Sequence, residues 1–291
     1  MKKYTIVTDC TCDLSLDLID RYDIKVIPME FTIDDEKHLH SADFKVFKEI
    51  KFYDRLRNGS MASTSQINPF TYTEFLTPYL EAGNDILYVA FSSGLSSTYE
   101  SSVIAINELT EKFPERKIIT IDSLAASAGE GLMVYYACLN REQGMTIEEN
   151  KEWLESHVQN FAHWFTVDDL HHLKRGGRVS AATAIVGSAL SIKPVLHVDE
   201  TGHLVSISKA HGRKKSLSTL AQKLKDTILE PKGQVIMISH GDCLEDAQFL
   251  KDKIIESVPV ADVIISDIGP VIGAHSGPGT VALFYFGKSR Y

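Results

Sequence analysis

The sequence is short of cysteine and of long apolar runs. Only four cysteines occur in 291 residues, at Cys10, Cys12, Cys138 and Cys243. Four thiols in a chain of this length do not make a disulfide framework, and Cys10 and Cys12 lack the two-residue spacing of redox and zinc motifs. No stretch approaches the roughly 18 apolar residues that a membrane-crossing helix needs. Basic residues are in deficit, 30 Lys plus Arg against 39 Asp plus Glu, and the net charge of −9 excludes a bulk binder of nucleic acid. Proline-rich linkers, internal repeats and low-complexity tracts are absent. A dinucleotide glycine fingerprint, a lysine-bearing phosphate loop and the nucleophile elbow of serine hydrolases are absent too. No His, Cys, Asp and Glu set has metal spacing, since His171 and His172 are adjacent and would point apart on a helix. The opening residues 1–7 read as a first strand rather than a signal peptide, so cytoplasm is the expected address.

What is present is an ordinary globular composition, 44 % hydrophobic and 24 % charged, which excludes a disordered chain. The length suits two domains or one large α/β domain. Short β-rich runs are expected at 4–8, 25–33, 86–91, 117–121, 164–167, 195–198, 203–208, 234–239, 262–266 and 281–286. Several, such as Val235-Ile236-Met237-Ile238, are apolar throughout, as strands buried on both faces of a parallel sheet are. Amphipathic helices are expected at 99–113, 217–229 and 245–258. Asp199-Glu200-Thr201-Gly202 between two alternating strands reads as a hairpin, so the second half should carry a mixed sheet. The boundary falls near 160–165, giving domains 1–162 and 163–291.

Five clusters could carry chemistry. Ser63-Thr64-Ser65-Gln66 precedes Asn68-Pro69, a helix cap and first-turn proline, and its hydroxyls either cap and turn or meet a ligand. Phe91-Ser92-Ser93-Gly94-Leu95-Ser96-Ser97 joins a strand to a helix, a place where amide donors and the helix dipole favour an anion. Without Lys or Arg, this loop suits one carboxylate or a neutral head group better than a triphosphate. Small residues in the segment Ile121 to Gly131 let a helix pack close to something, either a sheet or a ligand. Lys174-Arg175-Gly176-Gly177-Arg178 is a local basic patch, either a solvated turn or a docking point for a phosphorylated ligand or an acidic partner. Residues 268–280 surround His275 with glycines and prolines. Together these supply hydroxyls, amides and one imidazole, which bind a head group well and explain catalysis poorly. Ser96 with His275 in a lipid hydrolase or acyltransferase stays open as an alternative.

Taken in order, Val7-Thr8-Asp9, Thr64-Ser65-Gln66, Ser92-Ser93-Gly94-Leu95-Ser96-Ser97-Thr98-Tyr99, Asp122-Ser123, Leu173 through Ser180, Ile192-Lys193-Pro194, His240-Gly241-Asp242 and 268–279 resemble the DegV family of bacterial fatty-acid-binding proteins. The resemblance covers almost the whole chain. It implies a two-domain α/β fold, with a parallel-sheet three-layer N-terminal domain and a mixed-sheet second domain. A long-chain fatty acid would lie in a tunnel between or beneath them, with no other cofactor, no metal and no nucleic acid. It further implies the lipid-presenting, non-catalytic subunit of a fatty-acid kinase. A separate ATP-binding subunit would phosphorylate the carboxylate, and the acyl phosphate would feed phospholipid synthesis, with transient contact at a membrane surface. Thr64, Ser96 and His275 then hold the carboxylate. Ser65, Ser93, Gly94 and Ser276 support the head-group loops, and Arg178 and Arg175 meet the kinase. Ile67 and Ser97 depart from the family pattern, where Pro and Gly are common, which puts the local turns in doubt but no head-group donor. A transport or sensing protein without a kinase is a further alternative.

Overall fold

The computed structural model describes residues 4–180 and 191–290. Its first sheet is wholly parallel and is built from β1 (Thr5–Asp9), β2 (Lys25–Ile27), β6 (Ile86–Ala90) and β7 (Ile118–Asp122), in the order β2-β1-β6-β7. Every residue of β6 is buried, as its uninterrupted apolar run requires of a central strand. Helices cover both faces, so this half has the three layers that the alternation of strand and helix implied. One face packs on α4 (Pro69–Glu81) and α5 (Thr98–Lys112), through Tyr72, Leu76 and Leu109 among others. Asn68 caps α4 by accepting from the amide of Thr71 at 2.9 Å, and Pro69 opens its first turn.

The expected single strand at 25–33 is two strands in two sheets. Pro28 has no N–H to donate and ends the pairing of β2. The chain then starts β3 (Met29–Ile33), the middle of a small antiparallel sheet with β4 (Glu36–His40) and β5 (Ala62–Thr64). Neither β4 nor β5 is visible in the sequence pattern. Only His40 of β4 is buried and β5 is three residues long, so neither shows the alternation of a half-buried strand. The short helices α2 (Lys45–Glu49) and α3 (Phe52–Arg57) lie between them.

The second sheet is mixed, as expected, with order β10-β9-β8-β13-β11-β12. Its members are β8 (Phe161–Thr166), β9 (Ile192–Val198), β10 (Leu204–His211), β11 (Val235–His240), β12 (Asp262–Asp267) and β13 (Val281–Phe286); only β11 and β12 run parallel. The β9–β10 hairpin turns where the sequence placed it. Asp199 accepts there from the amides of Thr201 and His203, and Gly202 takes a positive φ of 81°.

One helix joins the two sheets. α6 (Ala128–Glu142) packs between them, and Leu132, Met133, Val134 and Ala137 share a core with Ile6 of β1, Phe165 of β8 and Phe284 of β13. Most of its residues are buried, Glu130 and Asn140 among them. The small residues near its start allow the approach: a Cβ on Gly131 would lie 2.6 Å from the Cys12 carbonyl, and one on Gly129 would lie 2.7 Å from the Phe284 ring. The far face of the second sheet carries α9 (Arg213–Thr227) and α10 (Leu244–Ser257), with Leu220, Leu224 and Leu250 buried against it.

Three buried acids anchor α6 and the loop after β1. Thr11 Oγ1 lies 2.5 Å from Asp9 and 2.6 Å from Glu130, while Thr8 donates to Glu130 at 2.7 Å and Tyr88 to Asp9 at 2.9 Å. A hydroxyl has one proton and cannot donate to both carboxylates, so at least one of the two acids is protonated and donates to Thr11. Burial and mutual repulsion push Glu130 far above the usual carboxylate range. Asp13 is raised to about 8, mainly by burial. Its carboxyl accepts from the Gly269 amide at 2.8 Å and lies 2.5 Å from the Ser127 hydroxyl, to which the neutral acid can donate, linking the first half of the chain to the segment that carries His275. Cys10 and Cys12 are free and buried, and burial pushes both thiols well up, as incidental core residues.

Candidate functional site

A cavity of about 470 Å³ opens where β5, the loop after β6, the segment after β8 and the 270–276 helix converge. That volume falls within the range of roughly 300–1,000 Å³ common for small-molecule sites. Polar side chains form its mouth: Thr64, Ser65, Ser96, Ser97 and Arg178 line it there. Apolar groups form its interior, among them Phe165, Leu173, Ala282 and Phe284. All four are buried, whereas Ser65 and Ser97 are exposed.

His275 is set in place by helix α11 (Pro270–Ser276), which packs against β5 and against α8 (His171–Arg175). Its Nε2 lies 2.8 Å from Thr64 Oγ1, which ends β5 opposite Phe31. Gly176, just after α8, lets the ring seat, since a Cβ there would lie 2.2 Å from Nδ1. Burial, and then the charge of Arg178, lower the imidazole to about 4, so it is neutral near pH 7. Nδ1 has no partner among the described residues, so no carboxylate orients the ring as in a catalytic triad. Ser96 is not its partner either. The Ser96 hydroxyl lies 2.9 Å from Thr98 Oγ1 and receives the Thr98 amide at 3.2 Å.

The serine loop presents side chains more than amides. The amides of Ser93, Gly94, Leu95 and Ser96 bond to Asp122, the Ser92 hydroxyl, the Ser92 carbonyl and the same carbonyl in turn. The backbone anion cradle expected of this loop is therefore largely closed on itself. Ser92 ties the loop to the hairpin by donating to the Gly202 carbonyl at 3.0 Å. Gly94 is a packing position. Its Cβ would lie 2.6 Å from the Thr201 carbonyl, so Gly94 serves the loop's seating rather than a ligand contact.

Lys174 and Arg175 of the basic patch are exposed, whereas Arg178 lines the cavity and is half-buried. Its guanidinium donates to the Leu95 carbonyl at 3.1 and 3.0 Å and to the Gly176 carbonyl, and no carboxylate among the described residues pairs with it. The loop that lacks Lys and Arg in sequence thus receives a cation from a segment some eighty residues away, |i−j| 83. This charge favours an anion at the mouth. Ser276 is buried in the cavity wall with its hydroxyl unpartnered among the described residues. Ser127, which the sequence marked only as one of the small residues suited to close packing, and His163, which it did not single out, also line the cavity. Ser127 takes φ 55°, a strained value for a non-glycine residue that no composition signal marks.

A family model described as "Uncharacterised protein, DegV family" matches residues 3–288. A DegV domain-containing protein of Clostridium perfringens is 45 % identical over 290 residues, covering 100 % of this chain and 99 % of its own. A DegV lipid-binding protein of Thermotoga maritima superposes with a TM-score of 0.87 at 31 % identity, covering 100 % of both chains. A second Thermotoga maritima protein, described as revealing fatty-acid-binding function, gives 0.85 at 30 % identity over 98 % of this chain and 99 % of that one. The fatty acid kinase B3 protein of Streptococcus pneumoniae, solved with linoleic acid, shares the fold at TM-score 0.84 and 23 % identity over 98 % of this chain and 99 % of its own. With its parallel and mixed sheets, its apolar cavity and a family match that spans nearly every residue, this chain belongs to the DegV family.

Proposed function

We propose that this protein binds one long-chain fatty acid with its tail in the cavity and its carboxylate at Thr64, Ser96 and His275. The observation that carries the reading is an apolar cavity whose mouth holds the hydroxyls of Thr64, Ser65, Ser96 and Ser97, a neutral imidazole and a guanidinium with no carboxylate partner among the described residues. The fatty-acid-binding relative at 30 % identity supports the same ligand class. Each buried CH2 contributes about 0.8 kcal/mol at most, so a sixteen-carbon tail supplies roughly 10 kcal/mol before ordering costs. The head group then has only to orient the acid.

We further propose that a separate ATP-dependent kinase subunit phosphorylates the presented carboxylate in the cytoplasm, and that Arg175 and Arg178 contribute to the surface it meets. Arg178 would act from the cavity mouth and Arg175 from the exterior. The acyl phosphate would enter phospholipid synthesis, with transient contact at the membrane surface. The non-catalytic assignment is supported by the partners of the two candidate groups, since the Ser96 hydroxyl bonds Thr98 and His275 bonds Thr64.

Native mass spectrometry of the purified protein tests the ligand. A retained mass near that of a C16–C18 acid is the expected result, and an empty protein that ignores added fatty acid overturns the reading. Acyl phosphate formed only with ATP and a kinase subunit separates the kinase role from transport or sensing. Free acid or acyl-enzyme from an added acyl ester would instead establish the hydrolase alternative.

A further inference from the structure

One polar ring stands among the apolar groups of the cavity interior. His163, on β8, is 1 % exposed and forms part of the wall beside Phe165 and Phe284. Phe284 meets it edge-on, with ring centroids 5.6 Å apart. On another side, Gly129 approaches so closely that a Cβ there would lie 2.9 Å from the His163 Cδ2. The ring therefore has little room to turn.

Its two nitrogens are in unlike positions. A guanidinium nitrogen of Arg290 lies 3.3 Å from Nδ1. Arginine only donates, so Nδ1 accepts and the proton of the neutral ring sits on Nε2. Burial and the neighbouring cation both hold the ring neutral. Arg290 is itself buried, and its bonds go to the carbonyls of Leu124, Ser123 and Val158, with no carboxylate at ion-pair distance among the described residues. Its charge polarises the imidazole and strengthens the remaining N–H as a donor. Yet Nε2 has no acceptor among the described residues. A buried, polarised N–H without a partner calls for one, and a plain alkyl chain has none to offer.

The depth of this group follows from the strand register. His163 pairs with Phe284, and Val281, at the strand end next to the His275 segment, pairs with Thr166. Three residues of strand separate the two positions, on the order of 10 Å. The donor thus lies well inside, away from the carboxylate end.

We propose that the His163 Nε2–H selects for an oxygen on the acyl chain, so that the ligands include long-chain fatty acids with a hydroxyl or keto group part-way along the tail. This rests on the fatty-acid reading above. The test is competition binding of stearic acid against its positional hydroxy isomers, in the wild type and in His163→Phe, which keeps an aromatic ring and removes the donor. At least one isomer should bind the wild type roughly fivefold or more tightly than stearic acid, as a newly satisfied buried donor implies. That preference should vanish in the variant. In ¹⁵N-histidine spectra of the wild type, which do not depend on the variant folding, that isomer and not stearic acid should shift the His163 Nε2–H resonance. Stearic acid binding as well as every isomer, or an unchanged preference in His163→Phe, overturns the inference while leaving fatty-acid binding in place. If no fatty acid of either kind binds, the fatty-acid reading itself fails, and this inference with it.

Discussion

Thr64 Oγ1 and His275 Nε2 lie 2.8 Å apart although 211 residues separate them in the chain. Each satisfies the other at the cavity mouth, and both are available to an arriving carboxylate. The side chain of Thr64 ends a three-residue edge strand, while His275 sits in the last turn of α11. The pair therefore reports directly on whether β5 and α11 are correctly docked.

Removing a head-group hydroxyl should weaken chemistry at the carboxylate more than it weakens lipid retention. Thr64→Val and Ser96→Ala each delete a hydrogen bond of about 1 kcal/mol, roughly a fivefold effect. The tail still supplies the affinity. Acyl-phosphate yield with a kinase subunit and ATP should drop by at least that factor, while lipid retained through gel filtration changes little. Equal losses in both measurements would contradict this division.

The neutral state of His275 predicts an acid limb in the stability of the empty protein. Its imidazole is held at about 4 when folded and sits near 6.5 when unfolded. The unfolded chain binds the proton first, so stability is full above about 6.5 and falls as pH drops toward 4, by at most about 1.4 kcal/mol per pH unit for one group. His40, also held at about 4 by burial, adds to the same limb. Urea melts at several pH values should show a shallower acid limb in His275→Gln. An unchanged limb would place the titration elsewhere.

Asp13 acts in the opposite direction. Its folded value of about 8 lies above the unfolded carboxyl near 3.8. The folded protein therefore holds the extra proton between those values, and this contribution is lost as pH rises through that window and is gone above about 8. Asp13→Asn keeps an acceptor for the Gly269 amide and a donor for Ser127, so at pH 7 it should lie within about 1 kcal/mol of wild type. Asp13→Ala leaves the Gly269 amide unpaired and Ser127 with only Ser239 as a partner, and should cost roughly 2–3 kcal/mol. Denaturation of the two variants side by side distinguishes a protonated carboxyl from an ionised one, for which Asn would be as harmful as Ala.

Gly176→Ala should damage the head-group site with little effect on the backbone. The residue is helical, at φ −72°, so alanine fits its conformation, but the new Cβ would lie 2.2 Å from His275 Nδ1. The ring must move, at an overpacking cost of roughly 1–3 kcal/mol. Gly177, at φ 73° with open space around it, is the control. Gly177→Ala strains the backbone by roughly 1–2 kcal/mol and leaves His275 alone. Acyl-phosphate yield with a kinase subunit and ATP should fall in the first variant and hold in the second, with lipid retention little changed in either; the reverse order would detach Gly176 from the site.

Much of the framework is legible in the residues themselves because it depends on near neighbours. Val235-Ile236-Met237-Ile238 is apolar throughout and forms a strand covered on both faces. Asn68-Pro69 starts a helix, and Asp199 through Gly202 closes a hairpin, through contacts only a few residues long. The β-rich run at 25–33 divides at Pro28 into strands of two different sheets, a change of partner that β propensity alone does not mark. The short strands β4 and β5 escaped because almost none of their side chains are buried.

The sequence alone marked two hydroxyl-rich loops and the imidazole of His275 as candidates to meet a head group, and the family resemblance narrowed the hydroxyls to Thr64 and Ser96. Their family pattern also pointed to a carboxylate at the end of an apolar tail. Tertiary structure decided who partners whom. It paired His275 with Thr64 rather than Ser96, turned the serine loop's amides inward, and brought Arg178 from the basic patch into the cavity wall. It also set His163 and Arg290 together inside an apolar space. The pairings of His275 with Thr64, Arg178 with Leu95 and His163 with Arg290 join segments 83 to 211 residues apart, and contacts at that distance leave no local periodicity to read.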